Sequence, residues 1–327
     1  MNNRDMPVID CIAVQLDHLK ERYGLNEDYL LSRYLSAAEL LPRHLKEKTY
    51  RLDKEDMLAA EELRLRTVSG LSVLCGGREI FLDTFGIQPR ELADIVCEAA
   101  GCSLHTVAEN IREGFVTAES GHRIGLCGTA AVRDDKIVGI SSYSSLAIRI
   151  SMEITTAAEG LPEKLNIAGR PGSVLVISPP GGGKTTLVRD LVRRISYGGV
   201  RVSIADERGE LAAMKGGSPQ FDVGRCTDVM DMAPRSEAAL YLIRAMNPQV
   251  LAMDEISAAR EAEAVRAAYG CGTAILATAH SGSLNELYEK PCYMALMNDR
   301  IFDFVIEISG GGTERAYKIT RLRDGQC

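Results

Sequence analysis

Ser173-Val-Leu-Val-Ile177 runs without a break into Ser178-Pro-Pro-Gly-Gly-Gly-Lys-Thr-Thr186, and the residues that follow carry Leu187, Val188, Leu191, Val192 and Ile195 at helical spacing. A short apolar run, a glycine-rich turn and an amphipathic helix over Lys184 to Ile195 predict a strand, a loop and a helix in that order. Gly183-Lys184-Thr185 completes the phosphate-binding pattern G-x-x-x-x-G-K-[ST]. Glycine backbone at 181, 182 and 183 lets N–H groups turn inward around a phosphate, and the helix N-terminus adds partial positive charge there. Lys184 can reach the β and γ oxygens of a nucleotide, and the Thr185 hydroxyl can ligate Mg²⁺. The nucleotide-binding stretch is therefore Ser178, Pro179, Pro180, Gly181, Gly182, Gly183, Lys184, Thr185 and Thr186. It departs from the pattern at its first position, where Ser178 stands in place of glycine and two stiff prolines follow. Arg189, Arg193 and Arg194 read as a solvated face of the helix.

Outward from this stretch, Val200 to Ala205, Gln249 to Met253 and Thr273 to Thr278 are further short apolar runs. Ser236 to Met246 and Ala258 to Tyr269 are helical between them. Buried strands alternating with helices predict an α/β domain with a parallel central sheet. Each of these runs ends in groups that carry chemistry. The first leads into Asp206-Glu-Arg-Gly-Glu210, the second into Asp254-Glu255, and the third into Ala279-His280-Ser281. In a parallel sheet all strand C-termini lie on one edge, where ligands bind. Lys184, Asp206, Glu207, Asp254, Glu255 and His280 are expected to converge there. One carboxylate, Asp254, would hold the metal or its water with Thr185, and another would polarise an attacking water.

Upstream the pattern differs. The first 55 residues or so read as helices, with Leu30, Leu31, Tyr34 and Leu35 at helical spacing and a stop at Pro42. From Glu62 the period becomes two, and Gly70 and Gly76-Gly77 separate short strands. Pro89 to Ala100 and Ser103 to Glu113 read as helices. Phe115 to Glu119, Arg123 to Arg133, Ile137 to Ile140 and Ser145 to Ser151 read as strands. The expected organisation is a helical segment over 1–55, a smaller α+β domain over 56–155, and the P-loop domain over 156–327.

Composition narrows the partners. In 327 residues, 38 basic against 45 acidic side chains give a formal net charge of −7, and aromatics are 5% with no Trp. A negative field with few flat rings argues against a nucleic-acid partner. The nine cysteines form no C-x-x-C pair and read as reduced thiols of a cytosolic protein. Met1 to Asp10 lacks the apolar core of a signal peptide. No stretch approaches the roughly 18 apolar residues a membrane span requires.

The order of Ser178–Thr186, Asp206–Glu210, Ser218-Pro-Gln-Phe-Asp-Val-Gly-Arg225, Thr227-Asp-Val229, Ile243-Arg-Ala-Met-Asn-Pro248, Met253-Asp-Glu-Ile256 and Ala277-Thr-Ala-His280 resembles the stage III sporulation protein AA family. Those are ATPases of endospore-forming bacteria, similar to the motor ATPases of type II and type IV secretion systems. Leu63-Arg-Leu-Arg66, Gly121-His-Arg-Ile-Gly125 and Ser145-Leu-Ala-Ile-Arg-Ile150 fit the same family, so the resemblance runs from about 60 to about 310. It implies a RecA-like ATPase core behind a smaller N-terminal domain, ATP and Mg²⁺ as cofactors, and a homo-oligomer, in secretion motors a hexamer. It implies an acidic box holding Asp206, Glu207 or Glu210, with the base unassigned among them, and a histidine box at His280 that senses the γ-phosphate. It also implies an arginine reaching the phosphates from the N-terminal domain, with Arg149 first and Arg123 behind it, and Arg225 and Arg244 as further candidates.

The leading expectation is a cytoplasmic ATPase, peripheral to the membrane through protein partners, that powers a membrane-embedded channel or transport complex during spore formation. A non-hydrolysing switch or scaffold, a nucleic-acid motor and a small-molecule kinase are the alternatives. Glu255 and the Asp206–Glu210 cluster weigh against the first, charge against the second, and the large N-terminal region against the third.

Overall fold

The computed structural model describes residues 25–101, 114–167, 170–310 and 316–322. The expected helix over Ser103 to Glu113 and the signal-peptide reading of Met1 to Asp10 lie outside the described residues. The chain divides into two units, the first running to Glu153 and including Lys215–Gln220, the second taking Ile154–Met214 and Phe221 onward.

In the first unit, helices α1 (Glu27–Ala38), α2 (Arg43–Thr49), α3 (Lys54–Leu58) and α4 (Pro89–Ala99) accompany six strands. These are β1 (Ala60–Arg66), β2 (Gly70–Cys75), β3 (Arg78–Asp83), β4 (Phe115–Thr117), β5 (Arg123–Arg133) and β6 (Lys136–Arg149). They form one antiparallel sheet in the order β3-β2-β1-β6-β5-β4. Period-two alternation sends Leu63, Leu65, Ile124, Leu146 and Ile148 to one face. Tyr34, Ala37, Leu41 and Leu45 from α1 and beyond join the same core, so the N-terminal helices pack with the sheet. The runs Ile137–Ile140 and Ser145–Ser151, expected as separate strands, are one strand, because irregularities in the β5–β6 register absorb the unmatched residues.

The second unit holds the short ribbon of β7 (Asn166–Ile167) with β8 (Arg170–Pro171), and a further two-stranded ribbon pairs β11 (Met214–Lys215) with β12 (Ser218–Pro219). Its main sheet contains β9 (Val174–Ser178), β10 (Val202–Asp206), β13 (Thr227–Asp231), β14 (Val250–Glu255), β15 (Ala274–His280), β16 (Phe304–Ser309) and β17 (Ala316–Arg321). The order is β13-β10-β14-β15-β9-β16-β17, parallel except for the edge strand β17. Helices α5 (Leu161–Lys164), α6 (Lys184–Tyr197), α7 (Arg235–Met246), α8 (Ala259–Gly270), α9 (Leu284–Glu289) and α10 (Pro291–Asn298) complete it. Both faces of the sheet are covered, which is why its central strands read as unbroken apolar runs. Val174, Val176, Ile204 and Leu276 pack with α6, while Leu175, Ile177, Leu251 and Ile275 pack with α7 and α8. Strands β13, β16 and β17 extend the four runs read from the sequence.

The arginines of α6 correct the expected solvated face. Arg189 is buried, donating to the carbonyls of Leu211 at 2.8 Å and Glu210 at 2.5 Å. Arg193 and Arg194 close on buried Asp190 at 2.8 Å and 3.0 Å and also donate to the Thr155 carbonyl. The Asp190 oxygen that meets Arg194 also accepts from Ala158 N at 2.8 Å, so this carboxylate ties the start of the second unit to α6. Removing one partner of a buried ion cluster leaves uncompensated charge and unmet hydrogen bonds. Asp190→Ala is expected to destabilise the protein by roughly 2–4 kcal/mol, seen as a lower urea midpoint with unchanged slope.

Candidate functional site

The phosphate loop follows from three local facts. Gly183 caps α6 with φ 89°, a left-handed conformation that a side chain disfavours. Gly182 approaches Ser178 so closely that a Cβ would sit 2.1 Å from the Ser178 Oγ. The Ser178 hydroxyl donates to the Pro179 carbonyl at 2.9 Å, which fixes the entry where the pattern has glycine. The loop therefore presents backbone and a helix N-terminus, with side chains kept out of the cradle.

Lys184 is 7% exposed and its ammonium is fully engaged. It donates to the carbonyls of Ser178 at 2.9 Å and Pro179 at 3.2 Å, and contacts His280 Nδ1 at 3.0 Å. Burial pulls its pKa below the ordinary lysine range, opposed by Glu255 and Asp254. An ammonium can only donate, so His280 Nδ1 is the acceptor of this contact, which leaves Nε2 as the donor nitrogen. That nitrogen lies 3.3 Å from Glu255 Oε2. Register makes the relay possible: Glu255 pairs with Thr278 and His280 with Ser178, so β14, β15 and β9 end at one level.

A second carboxylate group lies beside Thr185, whose hydroxyl donates to Asp254 Oδ1 at 3.1 Å. Asp254 is 9% exposed, and its pKa is raised well above the carboxylate range, first by burial, then by the Glu210 charge and a hydrogen bond to the Glu210 side chain. Burial and the neighbouring Glu210 carboxylate both disfavour the charged form, so Asp254 keeps its proton to higher pH than a lone carboxylate does. Asp206, fully buried, plays a different part. Its oxygens accept from the backbone N–H groups of Glu210 at 2.9 Å, Leu211 at 3.2 Å and Ala212 at 2.8 Å. Burial raises its pKa and these bonds oppose the rise. Asp206 thus shapes the turn that delivers Glu210 to Asp254.

Of the expected site residues, Lys184, Thr185, Glu210, Asp254, Glu255 and His280 are in contact in this way. Glu207 turns to Arg235, with Nε at 3.1 Å from its Oε2. Arg149 belongs to the first unit, where its Nε meets Glu62 at 3.1 Å. Arg123 stacks on the Phe115 ring in that unit. Arg225 and Arg244 are exposed in the second unit. The sequence reading missed the holding roles of Arg189 and Arg235. Arg235 carried a signal, since a cation in the first turn of a helix opposes the helix dipole and needs an acidic partner nearby.

The residues present fit Mg²⁺-nucleotide. A side-chain-free cradle meets phosphate, and Thr185 with Asp254 offers the one hydroxyl and one carboxylate that Mg²⁺ takes when waters and phosphates fill its other positions. Accordingly no group of three His, Cys, Asp or Glu capable of caging a metal occurs among the described residues.

A buried acid with a raised pKa binds its proton more tightly in the folded chain than in the unfolded one. Stability from that proton is complete below the ordinary carboxylate range and is lost as pH rises through the raised pKa. Asp254→Asn keeps the Thr185 bond and needs no proton. It is expected to raise the melting temperature of the nucleotide-free protein at about pH 8 and to leave it nearly unchanged at about pH 4. Equal shifts at both values would contradict the raised pKa of Asp254.

Comparison with known proteins bears on the family and the fold. Residues 36–318 match the model of the family described as sporulation stage III, protein AA. The chain is 32% identical to stage III sporulation protein AA of Bacillus subtilis (strain 168) over 284 residues, which is 84% of this chain and 92% of that protein. Among solved structures it resembles the Legionella pneumophila ATPase DotB, with a TM-score of 0.55, 15% identity, and 84% of this chain and 77% of that chain covered. It also resembles the pilus retraction motor PilT with bound ADP, with a TM-score of 0.55, 15% identity, and 82% and 81% covered. At such identity these two likenesses show the fold, that of RecA-like P-loop secretion ATPases. No helix among the described residues is long and apolar enough to cross a membrane. With a family match over most of its length and a relative this similar, the chain belongs to the stage III sporulation protein AA family.

Proposed function

We propose that the protein is an ATP-hydrolysing motor or assembly ATPase that works as a homo-oligomer, in the simplest case a hexamer, and drives a membrane-embedded complex in endospore formation from the cytoplasmic face. The observation that carries the reading is the convergence of Lys184, Thr185–Asp254 and Glu255–His280 on one edge of the sheet, directly over a glycine cradle.

Thr185 and Asp254 would hold Mg²⁺, which supplies charge neutralisation at the phosphates when bound. Lys184 gives up its loop carbonyls and neutralises phosphate charge, while the α6 N-terminus orients it. Glu255 orients the attacking water and accepts its proton. His280 connects Glu255 to Lys184, so it registers whether the ammonium is turned to the loop or to the ligand. Glu210 is the acidic-box member beside Asp254, and Asp206 holds its turn. Net charge −7 supports protein partners over nucleic acid. Arg149, on a strand of the first unit, is proposed as the arginine that meets the γ-phosphate, released from Glu62 to do so.

Turnover of ATP by the purified protein, with and without DNA, tests the class. Lys184→Ala is expected to abolish nucleotide binding in a folded protein, since charge-assisted contacts of about 1.5–3 kcal/mol each are lost. Glu255→Gln is expected to bind ATP normally and hydrolyse it at least ~100-fold more slowly. Near wild-type turnover in either variant overturns its assigned role. Specific activity is expected to rise with protein concentration, and Arg149→Ala to flatten that rise with little loss of ATP affinity. Constant activity on dilution, from a species that stays monomeric with ATP, would overturn the oligomeric motor.

A further inference from the structure

We infer that Arg235 is a positioning residue that holds Glu255 in place for hydrolysis, with Glu207 as its counter-ion; the inference rests on the function proposed above. Arg235 opens α7 directly after Pro234, and its side chain is 6% exposed. A guanidinium cannot shed its charge, so burying it requires partners. Its Nη1 donates to the Glu255 carbonyl at 3.0 Å and lies 3.6 Å from Glu261 Oε1. Its Nε is within ion-pair distance of Glu207 but off the axis of a hydrogen bond.

Glu261 completes the clamp. Its other oxygen accepts from the backbone N–H groups of Ser257 at 2.5 Å and Ala258 at 2.8 Å. The turn after Glu255 is therefore pinned at its carbonyl by Arg235 and at its N–H groups by Glu261, and these two side chains face each other. With the backbone fixed on that side, the Glu255 carboxylate is left to meet His280 Nε2. Glu207 is drawn to the guanidinium. Among the described residues Arg235 meets Glu255, Glu207 and Glu261, and no residue of 178–186. Its loss should move the base without weakening the cradle.

The test compares Mg²⁺-ATP turnover and the affinity for a fluorescent ATP analogue in the full-length chain and in Arg235→Gln, Arg235→Lys, Glu207→Gln and the Arg235→Gln/Glu207→Gln double variant. Urea denaturation of each without nucleotide serves as a folding check. Displacing a reacting group by an ångström costs on the order of 100-fold. Arg235→Gln is expected to lower kcat by about 10- to 100-fold with nucleotide affinity within about twofold. Arg235→Lys should recover most of the loss, because the ammonium keeps the charge and one donor. Glu207→Gln should cost several-fold, and the double variant should be no slower than Arg235→Gln alone. Wild-type kcat in Arg235→Gln, parallel loss of affinity and kcat, or a double variant whose loss is the product of the single losses overturns the inference. Should Arg235→Gln fail to fold, a Lys variant no better than a tenth of wild type, or a Glu207→Gln variant at full kcat, overturns it equally. A wild-type chain that does not turn over ATP refutes the hydrolytic reading itself, a result distinct from all of these.

Discussion

Parallel pairing of β9, β15, β14 and β10 is the constraint on which the site depends. Four strands running in one direction in that order must finish on one edge, and the register sets how level they finish. His280 opposite Ser178 and Glu255 opposite Thr278 place an imidazole, a carboxylate and the start of the glycine turn within bonding reach. No loop search is needed to assemble them. The polar ends are affordable because the strands behind them are apolar apart from Ser203 and Thr278 and are covered on both faces by helices.

The polar groups on that edge then separate into two kinds. Asp206, Arg189, Arg235 and Glu261 are held by backbone N–H and C=O groups, and they set the shape of turns. Asp254, Glu210, Glu255 and His280 are held mainly by one another, by Thr185 and by Lys184, and Lys184 is held by loop carbonyls as well as by His280. Groups of the second kind carry strained protonation: a lysine pulled down by burial, and an aspartate raised beside a glutamate. Such mutual arrangements are cheap to rearrange when an anion and a cation arrive together, since the incoming charges satisfy both sides at once.

Much of this was legible in the sequence. Ser173–Thr186 alone specifies strand, loop and helix, and the acidic or histidine ends of three further apolar runs specify the edge. The strands at the margins were harder. Thr227–Asp231 is half-buried throughout and shows no clean alternation, and Phe304–Ser309 lies beyond the motifs. The arginines of α6 were misread because helical spacing locates a face without saying what lies against it. Arg189 faces the Asp206 turn and Phe221, and Arg193 and Arg194 face Asp190, contacts that only tertiary structure creates. For the same reason Asp206, Glu207 and Glu210 looked equivalent in one short acidic string. The fold sends them to three destinations: backbone amides, a buried guanidinium and the Asp254 carboxylate.

The contact between Ser178 and Gly182 has a consequence for how this loop can vary. Because the serine hydroxyl occupies the volume that a Cβ at 182 would need, the two positions are epistatic. Glycine at 178 would relax the steric demand at 182, whereas any side chain gained first at 182 meets the serine. Drift through this stretch therefore has a direction, with position 178 changing before position 182, and relatives that carry the ordinary glycine at the first position should tolerate more variety at the fifth.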